Sequence, residues 1–260
     1  MRGEPIIAIR NLRKAFPIEG GEIVAIEGLS FDVKEGLITA LVGPNGCGKT
    51  TLLRILAGLE EPTGGTVEMD GRPIRGPGAD RGMIFQEFAL FPWRTVIGNV
   101  KFGLEVRGIP KEEGEAAARR FIELVGLKGF EERYPHELSS GMRQKVAFAR
   151  ALVNDPRIIL MDEPFASLDA QTRNLMQEEL LRIWRATGKT ILFVTHSVDE
   201  AIFLSDEVIV LTQRPARVKK IFSIDLPRPR DRTGLQFNEL RRLILKELAE
   251  ELRAAHGMAD

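Results

Sequence analysis

The sequence predicts an α/β fold with an antiparallel β subdomain and an inserted helical subdomain, and three observations carry that expectation. A glycine-rich turn at 43–51 follows a short apolar run and opens a helical run. Short apolar runs return at 157–161, 190–194 and 207–211, separated by helical patterns, as the strands of a parallel sheet are. Between the turn and those runs the alternation is broken by residues 94–139, which read as helix.

Taken in chain order, 6–10, 22–26 and 29–33 read as short strands divided by Pro and Gly turns, and 65–69 and 82–85 as two more, joined by the turn-rich 70–78. These are more strands than a minimal mononucleotide fold uses, hence the antiparallel subdomain. A helix is expected over 49–57. In the inserted lobe, placed at approximately 94–156, Ala117, Phe121, Leu124 and Val125 form an apolar stripe ended by Gly126, and Pro110 and Pro135 mark interruptions. Met176, Leu180, Ile183 and Trp184 give a later helix one buried face. Residues 215–232, rich in Pro and Arg, precede a final helix with Phe237, Leu240, Ile244, Leu248 and Leu252 on one side. That tail is too short for a globular domain of its own, so the expected division is 1–232 followed by a C-terminal helical extension, 233–260.

Composition narrows the function classes. The chain of 260 residues carries 37 basic and 37 acidic side chains, and its zero net charge offers no global attraction to nucleic acid or anionic lipid. The longest uncharged stretch, 36–48, falls short of the roughly 20 apolar residues of a membrane-spanning helix. The start, Met1 to Pro5, leads into no apolar segment of the secretory kind. The single cysteine, Cys47, excludes an internal disulfide and is consistent with a reducing cytosol.

The turn itself points to a nucleoside triphosphate. In Gly43, Pro44, Asn45, Gly46, Cys47, Gly48, Lys49, Thr50 and Thr51, the glycines let backbone N–H groups close around phosphate oxygens, and the helix start adds a favourable dipole. Lys49 reaches the outer phosphates and the Thr50 hydroxyl helps hold Mg²⁺. Cys47, beside a helix start, fits either a small residue that a tight loop tolerates or a stabilised thiolate, and bulky thiol reagents are expected to block nucleotide binding with ATP protecting.

Other residues supply the chemistry of hydrolysis. The apolar run 158–161 delivers Asp162, suited to binding Mg²⁺ through water, and Glu163, suited to polarising an attacking water. His196 follows the run 190–195 at what should be the carboxyl edge of the sheet, where an imidazole can meet a terminal phosphate. Gln86 closes another run and fits either a neutral ligand of Mg²⁺ or water, or an ordinary turn-capping amide. Ser139, Ser140 and Gly141, in Leu138-Ser-Ser-Gly-Met142, fit either a helix cap or a second phosphate-binding surface.

These motifs, in this order and over nearly the whole chain, resemble an ATP-binding cassette (ABC) subunit. GPNGCGKTT at 43–51 matches Walker A, Gln86 the Q-loop, LSSGM at 138–142 the signature, IILMDE at 158–163 Walker B, Ser167-Leu-Asp169 the D-loop, and His196 the switch histidine. The resemblance implies a P-loop NTPase fold of the ABC ATPase type, with ATP and Mg²⁺ as ligands. It places Phe16 on adenine and Asp169 beside the nucleotide. Ser140 departs from the commoner glycine of the signature. The resemblance further implies an ATP-dependent homodimer in which Ser139 and Gly141 of one subunit face the γ-phosphate held by the other.

The stretches EFALFPWRTVIGNV, DEPFASLDAQTR and DLPRPR are most similar to the importers of nitrate, sulfonates, taurine and related nutrients. Export or a non-transport motor is the competing class. An importer implies two transmembrane permease subunits, an external solute-binding protein reached indirectly, no direct nucleic acid, and a peripheral place on the cytoplasmic face of the cell membrane. Phe88, Leu90, Phe91 and Trp93 fit either core or the family's groove for a permease helix.

Overall fold

The structure is a computed structural model, and it describes residues 4–255. Residues 1–3, the 256–260 end of the predicted extension, and the Leu252 side chain expected on its apolar face lie outside the described residues. The chain divides into two compact units, one made of the chain up to Pro77 and from Thr190 on, the other of Gly78–Lys189.

The first unit opens with two long antiparallel strands, β1 (Pro5–Ile18) and β2 (Gly21–Lys34), where the sequence predicts three short ones. The ladder survives the expected breaks because bulges absorb them. The register shifts between Ile9 and Ala15, and the left-handed residues Asn11 and Gly28 sit in the two strands. Further along come β3 (Ile38–Val42), α1 (Lys49–Leu56), β4 (Gly64–Met69) and the two-residue β5 (Arg72–Pro73). β4 pairs antiparallel with β1 and β5 with β4, which completes the antiparallel subdomain.

The second unit follows, with β6 (Arg81–Ile84), α2 (Val96–Val106), α3 (Lys111–Leu124), α4 (Ser140–Leu152), β7 (Ile158–Asp162) and α5 (Ala170–Thr187). β6 and β7 are parallel, with Ile84 opposite Met161. Of the stripe expected along α3, Val125 just past its end is buried as expected, and the rest is rotated by one position. Gly114, Ala118 and Ile122 are buried, while Ala117, Phe121 and Leu124 are only half-buried. The small residues let α2 approach, and a Cβ on Gly114 would already touch Leu104 at 3.8 Å. On α5 all four expected residues, Met176, Leu180, Ile183 and Trp184, are buried.

The chain then returns to the first unit with β8 (Thr190–Val194), α6 (Val198–Leu204), β9 (Glu207–Leu211), β10 (Val218–Ser223) and α7 (Leu235–Ala255). β3 lies between β8 and β9, parallel to both, and every residue of β3 and β8 is buried, as expected of strands covered on both faces. β10, antiparallel on β9, was not expected in 215–232. In the same stretch, buried Arg230 donates to the carbonyls of Ile202, Ser205, Ile224 and Leu226, closing the C-terminal end of α6. Burial lowers its pKa to about 10, still high enough for the guanidinium to stay charged at neutral pH. Among the described residues no helix is long and apolar enough to cross a membrane.

Candidate functional site

In the first unit, three adjacent parallel strands empty at one edge. The register pairs Leu41 with Val194 and Val42 with Val210, so the loop after β3, His196 after β8 and the turn after β9 share that edge. Topology alone accounts for this convergence.

The loop after β3 is built around its glycines. Gly48 has φ +121°, and a Cβ there would lie 2.9 Å from the Ala25 carbonyl oxygen. Gly46 is left-handed at φ +72°, and the Cys47 N–H turns back to the Pro44 carbonyl at 3.3 Å. Lys49 is 6% exposed, and its ammonium donates to the carbonyls of Gly43 and Pro44, both at 2.8 Å. A buried ammonium requires acceptors, and an anion entering the loop would meet a charge already desolvated. Asn45, Gly46 and Thr50 are exposed, Thr51 half-buried.

Of the two readings of Cys47, the structure favours the small packed residue over the thiolate. Its side chain is 1% exposed, and burial pushes its thiol pKa up, against the opposing influence of Lys49. The reactive thiolate is therefore corrected to a packed thiol, with its sulfur 3.1 Å from where a Cβ on Gly43 would stand.

His196 is exposed, but its neighbours are fixed. The Thr195 hydroxyl donates to the Glu200 carboxylate at 2.6 Å and accepts from the Ser197 N–H at 3.0 Å, while the Thr195 N–H donates to the Leu41 carbonyl. Ser197 caps α6 by accepting from the Glu200 N–H. The imidazole thus leaves a pinned turn. Phe16, on β1 opposite Ile23, is half-buried with the Lys14 ammonium 4.9 Å from its ring centre.

The second unit brings another set together. Because β6 and β7 are paired neighbours, Gln86 and the Asp162-Glu163 pair emerge at one edge. Asp162 ends β7 and is 8% exposed. Glu163 follows in the left-handed region at φ +44°, uncommon for a residue with a Cβ. That turn redirects the chain directly after two carboxylates. Gln86 is exposed and precedes two further left-handed residues, Phe88 and Ala89, whose carbonyls accept from Arg150 of α4 at 2.7 and 2.6 Å.

Ser139 caps α4, accepting from the Met142 N–H at 3.3 Å. Ser140 is the first helical residue and half-buried. Gly141 is buried against α5, where a Cβ would come within 3.1 Å of Thr172. Asp169 caps α5, one carboxylate oxygen accepting from the N–H groups of Gln171 and Thr172, each at 3.0 Å. Its pKa is held below the ordinary carboxyl value, chiefly by the Thr172 N–H.

The aromatic stretch splits between its two readings. Phe88 is buried, Leu90 and Phe91 are half-buried, and Trp93 is 72% exposed with its ring 5.6 Å from Phe91. Asn99 holds this loop in shape by accepting from the Phe91 N–H and donating to the carbonyls of Phe91, Arg94 and Thr95. Sequence reasoning did not reach Asn99, Arg150, Thr195 or Glu200, whose roles rest on contacts distant along the chain or within irregular turns.

Among the described residues no group of three or more His, Cys, Asp or Glu side chains could hold a metal by itself. Within the second unit, the oxygen donors of Gln86 and Asp162 are of the kind a hard cation such as Mg²⁺ takes alongside phosphate and water ligands, and in the first unit the Thr50 hydroxyl is of the same kind.

Residues 26–166 match the ABC transporter family. An uncharacterized ABC transporter ATP-binding protein of Methanocaldococcus jannaschii is 56% identical over 246 residues, 95% of this chain and 92% of its own. A nitrate import ATP-binding protein of Synechocystis is 45% identical over 87% of both chains. A taurine import ATP-binding protein of Jannaschia is 47% identical over 84% of this chain and 82% of its own. A solved dimeric ATP-binding cassette, in a post-hydrolysis state bound to ADP and Pi, superposes with a TM-score of 0.74 at 29% identity, over 85% of this chain and all of its own.

Proposed function

This chain belongs to the ABC transporter family and is an ATP-hydrolysing subunit, and from that premise we propose that it powers import of a small nutrient of the nitrate, sulfonate or taurine class. The carrying observation is the likeness to nitrate and taurine import subunits over more than four-fifths of each chain. In this reading residues 1–232 are the nucleotide-binding domain and 233–260 its helical extension. The chain works at the cytoplasmic face of the membrane with two permease subunits, and indirectly with a solute-binding protein.

Each residue has a proposed task. The N–H groups of 43–51 surround the phosphates, Lys49 neutralises the outer ones, and Phe16 stacks on the base. Thr50, Gln86 and Asp162 hold Mg²⁺, which supplies charge neutralisation on the phosphate oxygens. Glu163 takes a proton from the attacking water, and His196 donates a hydrogen bond to the terminal phosphate. Ser139, Ser140, Gly141 and Asp169 complete the partner's site in an ATP-dependent homodimer. Trp93, exposed on a loop tied down by Asn99, meets a permease helix.

The test is ATPase activity of the chain assembled with its permease and binding protein in vesicles. Stimulation by nitrate, taurine or alkanesulfonates is expected. Stimulation by nucleic acid or ribosomes without the permease would sink the transport reading.

A further inference from the structure

The turn after β9 also reaches the shared edge, and no role above uses it. Arg214 extends its guanidinium to the phosphate loop, donating from Nε at 3.0 Å and from Nη2 at 2.7 Å to the Gly46 carbonyl. The same peptide group is held on its other side, where the Cys47 N–H bonds the Pro44 carbonyl. With Lys49 on the carbonyls of Gly43 and Pro44, the loop carbonyls at 43, 44 and 46 all have cationic donors. A flip of the Gly46–Cys47 peptide would break all three of its bonds and reshape the loop. The forked bond to Gly46 opposes that flip.

Arg214 is itself anchored from a distance. The N–H of Gln213, its neighbour, donates to Glu251 Oε2 of α7 at 3.0 Å. The other Glu251 oxygen pairs with Lys219 at 3.1 Å, and Lys219 also meets Glu247 and Glu250 of the same helix. On the far side of the turn, the Ala216 N–H donates to the Ala25 carbonyl, and the Ala216 carbonyl accepts from the Glu27 N–H of β2. The turn is therefore fastened to the C-terminal helix at one end and to the antiparallel sheet at the other.

We propose that Arg214 is a positioning residue for the phosphate loop, and that Glu251 of α7 fixes where Arg214 stands, so that the C-terminal helix tunes nucleotide affinity. This rests on the reading of 43–51 as the phosphate site. Arg214 organises the loop before the nucleotide arrives, so losing it weakens binding and leaves the chemical step alone.

Full-length variants, titrated with ATP and assayed for hydrolysis, test this. Arg214→Ala is expected to raise Kd and KM for ATP about tenfold, the low end for a hydrogen bond from a charged donor, with kcat and thermal midpoint unchanged. Arg214→Lys should restore only part of the affinity, because one ammonium cannot reproduce the fork. Glu251→Ala should raise KM less, Lys219 keeping its other two partners, and the double variant should be no worse than Arg214→Ala alone. Arg242→Ala, which removes an exposed charge of α7, should leave KM as it was. Unchanged affinity in a folded Arg214→Ala, or full restoration by lysine, would overturn the positioning role. Additive effects of the two alanine variants would overturn the link to α7. Absence of ATP binding by the unsubstituted chain would instead remove the phosphate-site reading.

Discussion

Glu163 stands where β7 has ended and the backbone has entered the left-handed region, a conformation a residue with a Cβ adopts at some cost. Such a conformation is maintained by its surroundings, and here it places a carboxylate at the strand's exit. Glu163→Gln keeps the shape and removes the proposed base, so turnover should fall by about 10²- to 10⁴-fold while ATP binding is retained. Rapid multiple turnover by the variant, measured as released phosphate, would take Glu163 out of the chemical step. Cys47 calls for the opposite kind of experiment. Its raised pKa and its burial both suppress the thiolate, so a bulky maleimide should label the folded protein slowly and the unfolded chain fast. Equal rates in the two states would show that the side chain is accessible after all.

Among the elements, the N-terminus of α5 gives a pH-dependent prediction. The carboxyl of Asp169 has a folded pKa below its ordinary value because the Thr172 and Gln171 N–H groups bond its charged form. A depressed carboxyl pKa contributes stability that is present above the unfolded value, near 3.9, and is lost as pH falls through the folded value. Asp169→Asn keeps a capping oxygen without the charge, so it should be less stable than the parent at neutral pH, and the gap should close below pH 4. Denaturant titrations across pH 2–7 measure this, and a gap that stays constant with pH would exclude the charged cap. At the C-terminal end of α6, Arg230→Met removes donors from four carbonyls, three of them bonded at 3.0 Å or more tightly, and should cost about 2–4 kcal/mol of unfolding free energy. A loss under about 0.5 kcal/mol would mean that water replaces the guanidinium.

The same elements show what a sequence discloses. β3, β7 and β8 were legible because strands buried on both faces are written as unbroken apolar runs. On α3 the helix was legible but its inward face only in part, since Gly114 and Ala118 give little hydrophobic signal although both are buried. β10 went unnoticed because Lys219 and Lys220 lie in its middle, as charges do on edge strands. Phosphate-loop residues declare themselves by spacing. Arg214, which bonds Gly46 from 168 positions away, cannot.

At the scale of the whole molecule, the proposed homodimer raises the question of what ATP contributes to the association. In that proposal each cassette holds nucleotide with its own 43–51 loop, and the contacts added by the partner's Ser139 and Gly141 are what favour the dimer over two loaded monomers. If those contacts tighten ATP tenfold at each of two sites, about 1.4 kcal/mol apiece, reciprocity requires the loaded dimer to be about a hundredfold tighter than the empty one. Hydrolysis hides this gain by removing the nucleotide that produces it. Glu163→Gln should reveal it, sedimenting as a dimer with Mg·ATP at concentrations where the ADP-bound protein is monomeric. Ser139→Ala placed in the Glu163→Gln background should return the protein toward monomer. Part of that effect comes from the lost α4 cap, which also lowers the thermal midpoint without nucleotide and can be read separately. A Glu163→Gln protein that stays monomeric at saturating Mg·ATP, even with its membrane subunits supplied, would mean that ATP is not what joins the two cassettes.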